Sequence, residues 1–150
     1  MNKISWGAVL TVALGILVCL TPYTLFPVCE GHITTAAGGA VPMKCFWSAR
    51  ASLGNGGLAI VAGGLLLLSN HAPFCLGVTI MLVFLGLAII LTPGLLIGVC
   101  ASEMMSCHMG TLPALTLLGL LLMGTAICMA FAARKVMSKS MAVSRTGGQA

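Results

Sequence analysis

Four cysteines, Cys29, Cys45, Cys100 and Cys107, are the residues of this chain whose types and surroundings could do chemistry. Glu30, His32 and Met43 stand near the first two, and Glu103, Met104, Met105, His108 and Met109 near the others. Glu30 and Glu103 are the only acids in the chain. Three chemistries suit such a set. In an oxidising compartment, neighbouring thiols close into disulfides. As thiolates beside imidazole and thioether, Cys29, His32, Met43, Cys45, Cys100, Met105, Cys107 and His108 form a ligand set for Cu(I), zinc or haem iron. Left reduced, the cysteines could exchange with other thiols. Neither C-x-x-C nor C-x-x-C-H occurs, and no spacing matches a zinc module. The residue types therefore favour disulfides with no cofactor, and copper, zinc or haem belong to the alternative reading. Four cysteines allow three pairings. Pairing Cys29 with Cys45 and Cys100 with Cys107 is the most local. Cys19, Cys75 and Cys128 fall in apolar runs and read as small hydrophobes.

The elements that must position these cysteines repeat. Residues 14–29 read LGILVCLTPYTLFPVC and residues 85–100 read LGLAIILTPGLLIGVC. Both follow L-G-x4-L-T-P-x2-L-x2-V-C without a gap. Met43-Lys44-Cys45 is echoed by Met105-Ser106-Cys107. Each copy holds an apolar helix, a Thr-Pro break, a cysteine, a Met-x-Cys and a second apolar helix. Two helices return the chain to its starting side, so the copies should be parallel hairpins related by an axis along the membrane normal. The expected fold is an all-α bundle of four transmembrane helices with a cysteine-containing extracytoplasmic cap.

Composition supports that setting. Of 150 residues, 59% are hydrophobic and 6% charged, with mean hydropathy +1.14. Soluble domains carry about 25% charged residues. The net charge of +5 forms no basic patch with interleaved aromatics, so nucleic acid is not an expected partner. Spans of roughly 20 residues fall at about 4–20, 51–68, 74–91 and 112–133. The first and third should run on past Pro22 and Pro93, kinked or ended there by the missing backbone donor. Thr21 and Thr92 can bond the carbonyls that the break frees. This places a transmembrane domain at 1–136, with repeats at about 4–68 and 74–133, and a polar cytoplasmic tail at 137–150 whose last dozen residues should be disordered. Lys3, Arg134, Lys135, Lys139 and Arg145 flank the outermost spans, against Lys44 and Arg50 at the opposite end. The positive-inside rule then puts both termini in the cytoplasm, the turn at 69–73 inside, and loops 27–50 and 100–111 outside. The first segment resembles a signal peptide, but no small-x-small cleavage site follows and its match to the third helix marks it as structural.

Smaller features have structural readings. Gly94-x3-Gly98 and Ala59-x3-Gly63 should let helices approach closely. Asn55 should bond a neighbouring helix, Trp6 and Trp47 should sit at opposite interfaces, and residues 34–40 read as a spacer.

Several of these motifs carry a family resemblance. Phe26-Pro27-Val28-Cys29, Met43-Lys44-Cys45-Phe46-Trp47-Ser48-Ala49-Arg50-Ala51, Leu96-Ile97-Gly98-Val99-Cys100, Met105-Ser106-Cys107 and Thr111-Leu112-Pro113-Ala114-Leu115 resemble the DUF4418 family. These are small bacterial and archaeal membrane proteins of unassigned function. The resemblance runs from the first helix to the fourth and implies the fold and the four cysteines. It departs at Phe46, where a histidine is expected, and at His108, where a basic residue is expected. Both departures weaken a metal role there. Some members lie beside ABC-type exporters, which implies such a complex as a partner.

No span holds an acid or base at its middle, which a proton-coupled pump needs. A thiol oxidase linked to quinone would place C-x-x-C at a helix end. The expected role is thus a non-enzymatic structural or accessory membrane subunit. The alternative is a thiol-redox or soft-metal protein at the outer face. The topology is checked by labelling intact cells with a membrane-impermeant thiol reagent after mild reduction. Cys29, Cys45, Cys100 and Cys107 should react, and labelling confined to Cys75 or Cys128 would invert the orientation.

Overall fold

The protein is described by a computed structural model covering residues 2–25, 32–34, 40–42, 44–69, 71–97 and 107–147. Helix α1 spans Asn2–Leu20, α2 Lys44–Leu68, α3 Ala72–Leu91 and α4 Leu112–Gly147. Together with the turns that flank them, stretches Ser5–Leu25, Phe46–Leu68, Ala72–Leu96 and Met109–Ser138 are long and apolar enough to cross a membrane. Between α1 and α2, strand β1 (His32–Thr34) pairs antiparallel with β2 (Ala40–Pro42), Ile33 opposite Val41. Part of the expected spacer is thus a short ribbon, and the architecture is otherwise helical.

The helices form a ring in which α1 lies beside α2 and α4, and α3 beside α4 and α2. Two layers of side chains fill it, each supplied by all four helices. Ala8, Leu66, Cys75, Leu82, Ala126 and Met129 form one. Leu14, Val18, Ala59, Ile89, Leu115 and Leu122 form the other. Outside stand exposed apolar groups such as Leu58, Val61, Met81, Phe84, Leu117 and Phe131. An apolar surface on every side suits lipid rather than water. Trp6 and Trp47 are 77% and 57% exposed. They open antiparallel neighbours and so lie toward opposite ends, as the sequence suggested.

Within each pair, backbone touches backbone. A β-carbon on Gly15 would lie 2.9 Å from the Gly56 carbonyl oxygen, and one on Gly56 would lie 2.8 Å from that of Gly15. The same reciprocal contact joins α3 to α4: 3.0 Å from Gly86 to the Gly119 oxygen and 2.9 Å in return. Gly63 makes a third close approach, against Val12 and the Ala8 carbonyl, beside buried Ala59. Gly94 does not act this way. It is exposed, with nothing within 4 Å of where its β-carbon would be, so Gly94-x3-Gly98 is no crossing point through Gly94; Gly98 lies outside the described residues.

Both prolines are buried and each opens a five-residue π turn, Thr21–Leu25 and Thr92–Leu96. Proline lacks an N–H and its ring crowds the preceding turn. A wider turn relieves both, as when Ile97 N–H reaches back to Thr92 O at 3.1 Å. The threonines do not take the carbonyls freed by proline, those of Val18 and Ile89. Thr21 Oγ1 donates to Leu17 O and Thr92 Oγ1 to Ala88 O, each at 2.7 Å. Ala88 O already accepts the Thr92 N–H. A hydroxyl on a helix reaches most readily to the fourth residue back.

Two boundaries differ from expectation. The second span begins at Phe46, ahead of 51, because Lys44–Arg50 contains no breaker and Arg50 lies exposed, its guanidinium 5.3 Å from the Phe46 ring. Of the last dozen residues, expected to be disordered, 139–147 are helical: α4 continues unbroken to Gly147, through Arg, Lys, Met and Ala, which favour helix. The turn between α2 and α3 is tight, with Ser69 N–H donating to Leu65 O and Cys75 N–H to His71 O, both at 3.0 Å.

Gly15→Ala and Gly86→Ala should each lower the stability of the detergent-solubilised protein by about 1–3 kcal/mol, the usual cost of overpacking. Gly57→Ala, with nothing within 4 Å, should be neutral. Thermal unfolding followed by circular dichroism measures all three.

Candidate functional site

The expected cysteine cap lies largely outside the described residues. Cys29, Met43, Cys100, Met105 and both glutamates lie there. For His32, Cys45, Cys107 and His108 only the backbone is described. His32 begins β1 opposite Pro42. Cys45 is the second residue of α2, and Cys107 and His108 open a third π turn, Cys107–Thr111, that leads into α4. Both Met-x-Cys segments therefore feed directly into the second helix of a hairpin. No two cysteines stand at disulfide distance among the described residues, and no group of three metal-ligating side chains occurs among them. Cys19, Cys75 and Cys128 are free thiols. Cys75 is a core residue, as its setting suggested, with its thiol 3.4 Å from Ser69 O. Cys19 lies 3.6 Å from Leu53 O on the neighbouring helix. Cys128 is exposed on α4, so it is not a packing residue.

The bundle itself contains a set of polar side chains. Thr11, Thr21, Ser48, Ser52, Thr79, Thr92 and Thr111 are buried. Thr11 Oγ1 donates to Gly7 O and Ser52 Oγ to Ser48 O, both at 2.9 Å, and Thr79 Oγ1 to Leu76 O at 2.9 Å. With Thr21 and Thr92, these hydroxyls satisfy themselves on their own helices, which is what a low-dielectric setting demands. A polar contact crosses between hairpins: Asn55 Nδ2 donates to Thr92 Oγ1 at 3.4 Å. The sequence anticipated a helix-to-helix bond from Asn55 and did not identify its partner.

This contact and the Cys19–Leu53 approach put both π turns at the same end of the bundle, level with residues 53–55 of α2. Ser48 and Ser52 lie toward that end too. At the surface there, the Phe46 and Trp47 rings meet edge to face at 6.0 Å, with Arg50 over Phe46. Amphipathic rings and a guanidinium in one place mark a membrane interface. Below it, two apolar grooves run between the hairpins, one between α1 and α4 and one between α2 and α3. Sequence reasoning missed both, because a groove depends on how two hairpins lean on each other.

Four long apolar helices with an apolar exterior define a multi-pass type of membrane protein. The chain belongs to the DUF4418 family, a domain of unknown function, whose model matches residues 11–132. No curated protein and no solved structure matches it.

The Asn55–Thr92 bond should be worth little to the fold. A double-mutant cycle of Asn55→Leu and Thr92→Val should give a coupling of about 0.6 kcal/mol, typical of a hydrogen bond between helices in a membrane. Unfolding in detergent measures it, and a coupling near zero would mean that the 3.4 Å contact is not a bond.

Proposed function

We propose that this chain is a non-enzymatic structural or accessory membrane subunit, a scaffold of two parallel hairpin repeats under a cap braced by Cys29, Cys45, Cys100 and Cys107. The observation that carries this reading is the interior. Among the described residues it is mostly alkyl groups, with hydroxyls such as those of Thr11, Ser52 and Thr79 bonded within their own helices, the Cys75 thiol and the Asn55 amide, and no carboxylate, imidazole or ammonium group, which suits holding a shape rather than moving a proton. The reciprocal glycine contacts and the two Thr-Pro π turns occupy matching places in the two hairpins, and this supports duplication. Both termini lie in the cytoplasm on this reading, and the exposed Arg134 and Lys135 near the end of the fourth span suit that side. The partner is a larger membrane complex such as an ABC-type exporter.

The second reading is a thiol-redox or soft-metal protein. It is favoured by the placement of Cys45 in the first turn of α2 and Cys107 in the turn entering α4, since helix starts favour a negative group such as a thiolate. Thiol counting and metal analysis on the protein purified under native conditions separate the two. Two disulfides among the four cysteines and no metal are expected. Four free thiols with stoichiometric copper, zinc or haem would establish the second reading. Replacing one bonded pair by serine should remove about 2–4 kcal/mol and expose loop 27–50 to protease, with the helices intact.

A further inference from the structure

The charges of this chain are divided unevenly between the two ends of the bundle. A β-carbon on Gly7 would meet the Met129 side chain, and Ala8, Leu66, Cys75 and Met129 share one layer of the core. The start of α1, the turn between α2 and α3 and the last turns of the fourth span therefore lie at one end, away from the two Thr-Pro π turns. Lys3, Arg134, Lys135, Lys139 and Arg145 belong to this end, and no acid does. At the other end Lys44 and Arg50 are matched in number by Glu30 and Glu103, which fall in the segments joining the helices there. The whole net charge of +5 thus falls where spans Ser5–Leu25 and Met109–Ser138 meet the membrane boundary. Arg134 and Lys135 are exposed. With no acidic side chain at this end, the counter-charge must come from outside the chain.

The groove between α1 and α4 runs toward these cations. Gly7 and Leu10 line it from α1, and Leu121, Thr125, Cys128 and Ala132 from α4. Spacings of three and four residues mark one stripe on each helix. Lys3 stands four residues before Gly7, and Lys135 and Lys139 stand three and seven beyond Ala132. The same stripes therefore lead from the groove to three lysine positions. The groove encloses about 450 Å³. The Thr125 hydroxyl in it already donates to Leu122 O at 2.9 Å, so the groove offers a ligand mainly alkyl contact. From Leu121 to Ala132 it follows roughly 16 Å of helix rise. One leaflet supplies half of a ~30 Å hydrocarbon layer, which is close to that length.

The occupant must carry an anionic head at the boundary and an alkyl chain of leaflet length. A nucleic acid or an acidic peptide meets the charge and not the groove. A neutral or zwitterionic lipid meets the groove and not the charge. We propose that this end of the bundle binds an anionic phospholipid of the phosphatidylglycerol type, its phosphodiester held between Lys3 on α1 and Lys135 and Lys139 on α4, and one acyl chain lying along the groove from Ala132 to Leu121. Basic positions between helices at a membrane boundary suit such head groups. The chemistry is the same whichever leaflet this end faces.

The test is native mass spectrometry of the full chain in detergent, titrated with phosphatidylglycerol and, separately, with phosphatidylcholine of the same acyl chains. One equivalent of phosphatidylglycerol should bind, about tenfold more tightly than phosphatidylcholine or better. Lys3→Gln and Lys135→Gln should each weaken it about fivefold, the weight of one basic residue beside an anionic lipid. Lys135→Arg should retain it, and Lys44→Gln, at the other end, should leave it unchanged. Gly124 lines the groove with nothing within 4 Å of where its β-carbon would be, so Gly124→Phe should displace the acyl chain and weaken binding with every charge in place. Leu121→Trp, at the exposed rim, gives the same reading if that variant does not fold. Inorganic phosphate should not compete. The proposal is overturned by equal affinity for the two lipids, by undiminished binding in the Lys3→Gln/Lys135→Gln double variant, by an equal loss in Lys44→Gln, by no effect of filling the groove, or by displacement of the lipid by inorganic phosphate.

Discussion

Everything in this bundle depends on how closely its helices can approach. Lipid tails are as apolar as leucine, so burying leucine between helices gains little over leaving it in the bilayer. What remains is contact made only between helices, and that is dispersion at short range. Gly15 against Gly56 and Gly86 against Gly119 bring carbonyls to about 3 Å from the missing β-carbons. Around these points the next residues inward can be small or branched without leaving voids, and Ala8, Ala59 and Ala126 are fully buried. Many large apolar side chains, such as Leu58, Met81, Phe84 and Leu117, stand outside, where a soluble protein would not tolerate so many.

A second demand acts on the same helices. A backbone group without a partner is costly in hydrocarbon, yet two prolines sit buried near the helix ends. The π turns resolve this by lengthening the loop of the hydrogen bond by one residue, and they also redirect the chain. Thr92, which opens the second of these turns, is also the residue that Asn55 reaches from α2.

Much of the architecture is legible in the sequence because it is local. Hydropathy over twenty residues marks a span, and Thr-Pro marks a break wherever it falls. Crossing points are harder. Gly15 and Gly94 look alike in the sequence, but one faces a backbone and the other is exposed. Which face a glycine presents is decided by the partner helix. The start of α2 was hidden by Lys44 and Arg50, since charge suggests an end to the span, whereas a guanidinium set against Phe46 can stay at the interface while the helix continues. The end of α4 was hidden for the converse reason, because a polar composition does not by itself stop a helix that is already nucleated. The cysteines stood out by type, and their meaning rests on side-chain geometry that spacing does not encode.

The crossing points align the hairpins more finely than the Thr-Pro motif does. Gly56 in α2 and Gly119 in α4 play the same part against Gly15 and Gly86. The residue before the first is Asn55, and the residue before the second is Leu118. Thr92 meets the amide of Asn55, whereas Leu118, in the matching place before Gly119, offers no hydrogen-bonding group. Both threonines are already satisfied on their own helices, at Ala88 O and Leu17 O, so neither requires a partner for the fold. Two equivalent hairpins with Leu at both positions would pack as well. A single hydrogen bond of this kind between membrane helices is worth about 0.6 kcal/mol, so the close glycine contacts within each hairpin carry more of the packing. The Asn55–Thr92 contact adds a tie between the hairpins, near the end where both π turns lie.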